Sequence, residues 1–166
     1  MTGTTPEIAD EFKDAFRSHP AGVSLVTAST AEGPVGLTLS SVASVSADPA
    51  VLVFSVTKAT GSAGGILGAP SMVVHFLLVG QEGIADAFAR SGQPRFTSEQ
   101  GWQTLATGEP YLPSARVALR CTIRETLSVG GSALVLADVV EVLPGVEGDP
   151  LLYHDRHYDR LAVPVR

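Results

Sequence analysis

The chain has 166 residues, 45% of them hydrophobic and only 17% charged, with a formal net charge of −6 and a pI near 5.1. That length suits one domain with a real core, and an acidic chain whose Lys and Arg are scattered argues against a nucleic-acid partner. No apolar run approaches the roughly 18 residues that span a bilayer, a lone cysteine (Cys121) allows no internal disulfide, and the first residues lack a secretory pattern. A cytoplasmic protein with no membrane partner is expected. The apolar surplus is expected to fill a core and a homodimer interface, two-fold dimers being the commonest assembly.

In chain order, the spacing predicts a helix from Pro6 to Ser18, with Thr5 as N-cap, Pro6 at its first position and Glu7 in its first turn. Ile8, Phe12, Ala15 and Phe16 form one apolar stripe, which points to core or interface packing. His19-Pro20-Ala21-Gly22 ends this helix, and Val23 to Ala28 reads as a strand. Glu32-Gly33-Pro34 then turns the chain into a hairpin partner from Val35 to Val45. That partner has an apolar face (Val35, Leu37, Leu39, Ala43, Val45) and a small or hydroxylic one (Gly36, Thr38, Ser40, Ser44, Ser46). A face of short hydroxyls suits either a flat or phosphorylated ligand or close packing by another backbone or subunit.

After the Ala47-Asp48-Pro49 turn, Ala50 to Val56 is apolar at nearly every position, as in a strand covered on both sides. Thr57 to Gly68 changes to glycines, hydroxyls and the single Lys58, and reads as a loop opening a short helix. Met72 to Val79 is a second doubly covered strand, interrupted by His75, and Gln81 to Arg90 is a helix closed by Gly92. The connection from Arg95 to Pro113 is long enough to cover something. Ala115 to Leu127 alternates cleanly and turns at Gly130-Gly131 into Ser132 to Leu143. Six strands joined mostly by short turns do not follow a βαβ pattern, so the expected fold is mainly β, an antiparallel six-stranded barrel with a few short helices.

No nucleophile motif is present, and the carboxylates are scattered rather than paired. His154 and His157 lack the further ligands a metal needs, so no metal site is expected and a surface pair is the default reading. Thr57, Lys58, Thr60 and Ser62 form a better signal. Hydroxyls, a cation and glycines ahead of a helix start can hold a phosphate, although the ending of a Walker loop is missing.

Five stretches in fixed order resemble the flavin reductase-like, FMN-binding split-barrel family, which includes the reductase components of two-component flavin monooxygenases. They are FRSHPAGVSLVT (16–27), GLTLSSVASVSADP (36–49), VLVFSV (51–56), FARSGQPRF (88–96) and PLLYHDRHYDRL (150–161). The resemblance implies one split-barrel domain over residues 1–166 that binds FMN or FAD. It assigns Thr38, Leu39, Ser40 and Ser41 to the flavin, continued by Ser55, Val56, Thr57 and Lys58, with Thr60 and Ser62 nearest the phosphate. Arg95 and Phe96 match the family's Arg-Phe pair beside the cofactor, and His154 and Tyr158 its tail motif on the nicotinamide side.

Two positions depart from the family. Many members carry Gly-Asp-His where this chain has Gly130-Gly131-Ser132, and often Asn where it has His75. The resemblance implies an NADH- or NADPH-dependent flavin oxidoreductase that supplies reduced flavin to a separate oxygenase. Its rivals are a flavin-binding protein without reductase activity and a split-barrel dimer that uses its small-residue face only for packing.

Overall fold

The computed structural model describes residues 3–57 and 61–162. The first element, α1 (Pro6–Arg17), begins as predicted, with the Thr5 hydroxyl accepting the Ile8 N–H at 3.4 Å and Pro6 in the first turn. Its apolar stripe does not enter the core: Ile8, Phe12 and Phe16 are 56%, 60% and 61% exposed. Strands follow at Ala21–Gly22 (β1), Ser24–Thr30 (β2), Gly33–Leu39 (β3), Ala43–Ala47 (β4) and Ala50–Thr57 (β5). Then come α2 (Ser62–Gly68), β6 (Met72–Phe76) and α3 (Glu82–Ala89). The chain finishes with β7 (Gln103–Thr104), β8 (Pro110–Tyr111), the long β9 (Val117–Val129) and β10 (Ser132–Pro144), and a tail hairpin of β11 (Leu152–His154) and β12 (His157–Asp159).

Seven strands form the main antiparallel sheet, in the order β3-β2-β6-β9-β10-β5-β4. The sequence predicts six, because alternation runs unbroken from Val35 to Val45. The structure divides that stretch into β3 and β4, which lie on opposite edges of the sheet. β3 pairs with β2 up to Leu39↔Ser24, and β4 pairs with β5 from Ala43↔Val53, with an irregularity between Ser44 and Ser46. Small hydroxyl residues hold no strong preference for continuing a strand, so partner strands decide where each half goes. Only residues 40–42 join the two edges, so the sheet curls until they are close. Ser41 fastens the gap: its hydroxyl accepts the Ser55 N–H at 3.0 Å and donates to the Ser55 carbonyl at 3.2 Å.

Alternation on the central strands feeds two apolar cores. Val26 and Ala28 of β2 point into an inner core with Leu52, Phe54, Val56, Ile66, Met72, Val74, Cys121 and Val135. From the other face of β2, Leu25 enters an outer core with Leu77, Ala85, Phe88, Leu112, Ala115 and Leu151. α3 and the 95–113 connection roof this outer core, with Phe96 and Trp102 packed against it.

Hydrogen bonds hold the roof. Thr27 and Ser29 of β2 donate to the carbonyls of Pro110 (2.7 Å) and Gly108 (2.6 Å). Glu109, 2% exposed, accepts from Arg120 Nε at 2.7 Å and from the Ser71 and Thr107 hydroxyls. Burial alone would push its carboxyl up, but these hydrogen bonds, with its own backbone, outweigh that and hold it below the ordinary value. His75 completes the roof. Its Nδ1 donates to the Leu25 carbonyl at 3.0 Å, and its Nε2 accepts the Leu112 N–H at 3.1 Å. One donor and one acceptor on a planar group is also what an asparagine offers. Full burial pushes the imidazole down to about 4, so it stays neutral.

Candidate functional site

The even face of β3 is covered by helix rather than open. Gly36 lies so close to α3 that a Cβ there would stand 2.8 Å from the Phe88 ring, and the Thr38 hydroxyl donates to the Ala85 carbonyl at 2.6 Å. Close packing by another element thus accounts for Gly36 and the Thr38 side chain. Beyond Leu39 the situation changes. Ser40 and Ser41 are exposed, and among the described residues the N–H groups of Ser40, Ser41 and Val42 enter no sheet ladder and no turn hydrogen bond.

The structure gathers the predicted residues into two groups. On one side are Ser55, bracketed by Ser41, and Thr57 at the end of β5, whose neighbour Val56 points into the inner core. Lys58 and Thr60 lie outside the described residues. Arg95 reaches Ser62 on α2: Nη1 donates to its hydroxyl at 3.2 Å, while Nε and Nη2 donate to the Ala87 and Arg90 carbonyls at 2.8 and 2.7 Å. The guanidinium therefore links α3 to the glycine-rich segment. Phe96, with φ of 54°, packs edge-on to Phe88 and against Trp102 in the outer core.

On the other side is a cleft of about 770 Å³ between α3 and the tail hairpin. Thr38, Leu39 and Ser40 lie at its base, Glu82, Asp86 and Arg90 on its α3 wall, and Tyr153, Arg156, His157 and Tyr158 on its hairpin wall. Predicted Tyr158 lines this cleft and predicted His154 does not. Tyr153 pairs with Tyr158 and His154 with His157 across a two-residue turn, so the tyrosines share one face of the hairpin, and of the histidine pair only His157 reaches the cleft. Tyr153, whose ring centroid lies 5.5 Å from that of Tyr158, is a cleft residue that sequence reasoning missed. The palindrome Tyr-His-Asp-Arg-His-Tyr carried the signal, since a two-residue hairpin places its outer pair together. Burial and then the Asp86 charge raise the Tyr158 phenol above its usual value, so it keeps its proton.

The family profile described as "Flavin reductase like domain" matches residues 16–162. The chain belongs to that family. It is 36% identical over 165 residues to the NADH:FMN oxidoreductase of Rhodococcus erythropolis, covering 94% of this chain and 86% of that protein. The 4-hydroxyphenylacetate 3-monooxygenase reductase component of Thermus thermophilus is 30% identical over 155 residues, covering 93% of this chain and 98% of its own. Among solved structures, the flavin reductase domain protein from Arthrobacter sp. FB24 superimposes with a TM-score of 0.87 at 34% identity, over 95% of this chain and 98% of the other. No helix among the described residues is long and apolar enough to cross a membrane.

Proposed function

We propose that this chain is an NAD(P)H:flavin oxidoreductase whose reduced flavin serves a separate monooxygenase. The observation that carries the reading is the 40–42 break, whose N–H groups lie outside every ladder, with Ser40 on a tyrosine-lined cleft and Ser41 bonded to Ser55. A flat ring with polar edges fits such a bare backbone, because it can use donors that no strand has taken. FMN or FAD, when bound, supplies the redox chemistry by accepting hydride from the nicotinamide.

The chain's own residues bind and orient. The backbone of Thr38 to Ser41 faces the flavin, and Ser55 and Thr57 continue that wall with the backbone of Val56, whose side chain is in the inner core. Lys58, Thr60 and Ser62, with Arg95, take the phosphate end, while Phe96 stiffens the segment that carries Arg95. His154 and Tyr158 belong to the side where the nicotinamide enters, and Tyr158 offers a neutral phenol there. We read residues 1–166 as one split-barrel domain whose curled sheet remains open at the β3–β4 break. Buried Cys121, its thiol pushed up to about 12 by burial, is unreactive and takes no part in this chemistry.

Two exposed apolar surfaces support a homodimer. Register places Leu127, Leu134 and Ser55 on one outward face, with Val129, Ser132 and Thr57 beside them. Leu127, Val129 and Leu134 are exposed, as is the α1 stripe, and a second copy is the covering surface we infer. The flavin wall formed by Ser55 and Thr57 shares this face, so dimerisation would also close the site. Light scattering should report twice the monomer mass, and a monomer would remove this part of the reading.

A second reading, flavin binding without reductase activity, is favoured by one observation. The Gly130-Gly131 turn sets Ser132 directly opposite Thr57 and brings no imidazole to that position. The decisive experiment is NADH or NADPH oxidation by purified protein with added FMN or FAD. Turnover supports the oxidoreductase. Flavin binding with no turnover for either nucleotide supports the second reading, and a Ser132→His variant that then gains turnover would locate the missing group.

A further inference from the structure

The chain carries two sets of anion-recognising groups, and only one of them is used above. Arg95 is committed to Ser62 and to the carbonyls of Gly36, Ala87 and Arg90, and it does not line the cleft. Arg156 is the other. It sits at φ 66°, beside Asp155 at φ 46°, so both central residues of the tail turn are left-handed. That conformation is costly for a long side chain and is ordinarily filled by Gly, Asn or Asp.

The surroundings of Arg156 leave its charge available. Asp155 pairs with Arg17 at 3.3 Å, and Asp155 also donates its N–H to the Arg17 carbonyl, which anchors the turn. Across the cleft, Asp86 is occupied by Arg90 at 3.1 Å, and Glu82 accepts the Gly80 N–H. Among the described residues Arg156 makes no ion pair and no hydrogen bond. An unpaired guanidinium therefore sits on a wall that also presents the Tyr153–Tyr158 pair, a stacking surface for an aromatic base.

We propose that Arg156 is the residue that recognises the diphosphate of the hydride donor, with the Tyr153–Tyr158 pair offering a ring face to one of its bases. This rests on the oxidoreductase reading and adds the donor's binding subsite to it. The reason for assigning the donor rather than the flavin is that two phosphorylated molecules must bind at once. Arg95 and Ser62 do not line the cleft and Arg156 does, so the two guanidinium groups are offered to different phosphates. A strained arginine is retained because glycine, which the turn prefers, brings no charge to the cleft.

The test compares Arg156→Gln and Arg156→Gly with the unaltered protein. The glycine variant keeps the left-handed turn and removes the side chain, which guards against an effect of misfolding. Both variants should raise the KM for NADH at least tenfold with kcat and flavin affinity unchanged, and Arg156→Lys should recover part of the loss. Calorimetric titration of NAD+ into flavin-free protein should show weaker binding by a similar factor. Its salt dependence should also become shallower than in the unaltered protein, as loss of a charge contact requires.

An unchanged KM and unchanged NAD+ affinity in both variants would overturn the proposal. So would weakened FMN binding with NADH unaffected, which would give the cleft to the flavin phosphate. If the unaltered protein oxidises neither nucleotide but still binds NAD+ through Arg156, the oxidoreductase reading fails and the subsite stands.

Discussion

The inner and outer cores are built on opposite faces of the same strands, yet they are assembled differently. The inner core is almost purely aliphatic and aromatic, supplied by alternate residues of neighbouring strands with α2 closing it. In the outer core, elements far apart in sequence meet: α3, the 95–113 connection, Leu151 and Tyr158. Polar groups aim that assembly, namely Thr27, Ser29, Ser71, His75 and the Glu109–Arg120 pair. Burial of apolar area is non-directional and needs only the right pattern, whereas seating an irregular segment needs directional bonds for its backbone. The cleft between α3 and the tail hairpin stands on the second kind of construction, because its α3 wall and Tyr158 belong to the outer core.

This contrast predicts that inner-core damage lowers stability alone, while outer-core damage also lowers nucleotide binding. The largest effect is expected for Phe54→Ala, at about 4 kcal/mol for truncating a fully buried phenylalanine. Urea unfolding should show that loss while the KM for NADH at low temperature stays unchanged. Glu109→Ala should cost about 3 kcal/mol by leaving Arg120 without its partner, and here the KM should rise in protein that is still folded. An unchanged KM would show that the cleft does not depend on the roof.

The His75 imidazole gives a pH-dependent form of the same test. Its folded pKa of about 4 lies below the ordinary 6.5, so the unfolded chain binds the extra proton. Stability should be complete above pH 6.5 and fall by about 3 kcal/mol as pH drops from there toward 4. Urea midpoints across that range should show the decline in the unaltered protein and a flatter profile in His75→Asn, which keeps a donor and an acceptor without a titrating ring. The smallest effect is expected for Thr27→Val, about 1 kcal/mol for one buried hydroxyl that releases the Pro110 carbonyl. Thermal unfolding would detect it.

Much of this architecture can be read from the residues. Alternation and turn chemistry mark β2, β5, β6, β9 and β10 to within a few residues, because partners in an antiparallel sheet are fixed by short turns and by which face is apolar. The Thr5-Pro6 start of α1 is equally local. Two features of the cleft are not legible in this way. His154 and Tyr158 look equivalent as a tail motif, and only the packing of the hairpin against α3 shows that Tyr158 lines the cleft and His154 does not. Likewise, His75 reads as an anomaly in a buried strand until Leu25 and Leu112 approach it from distant parts of the chain.

The stretch from Val35 to Val45 marks the division most clearly. By itself the sequence determined that these residues are extended, with an apolar face and a small hydroxylic one, since strand geometry demands that alternation. It also determined family membership, carried by five ordered stretches. Only the tertiary structure decided that the stretch breaks at 40–42, because β2 and β5 compete for its two halves at opposite edges of one sheet. The same competition buries Gly36 under α3, ties the Thr38 hydroxyl to it and leaves Ser40 and Ser41 exposed, since a strand's face is set by what packs on it and not by its own residues.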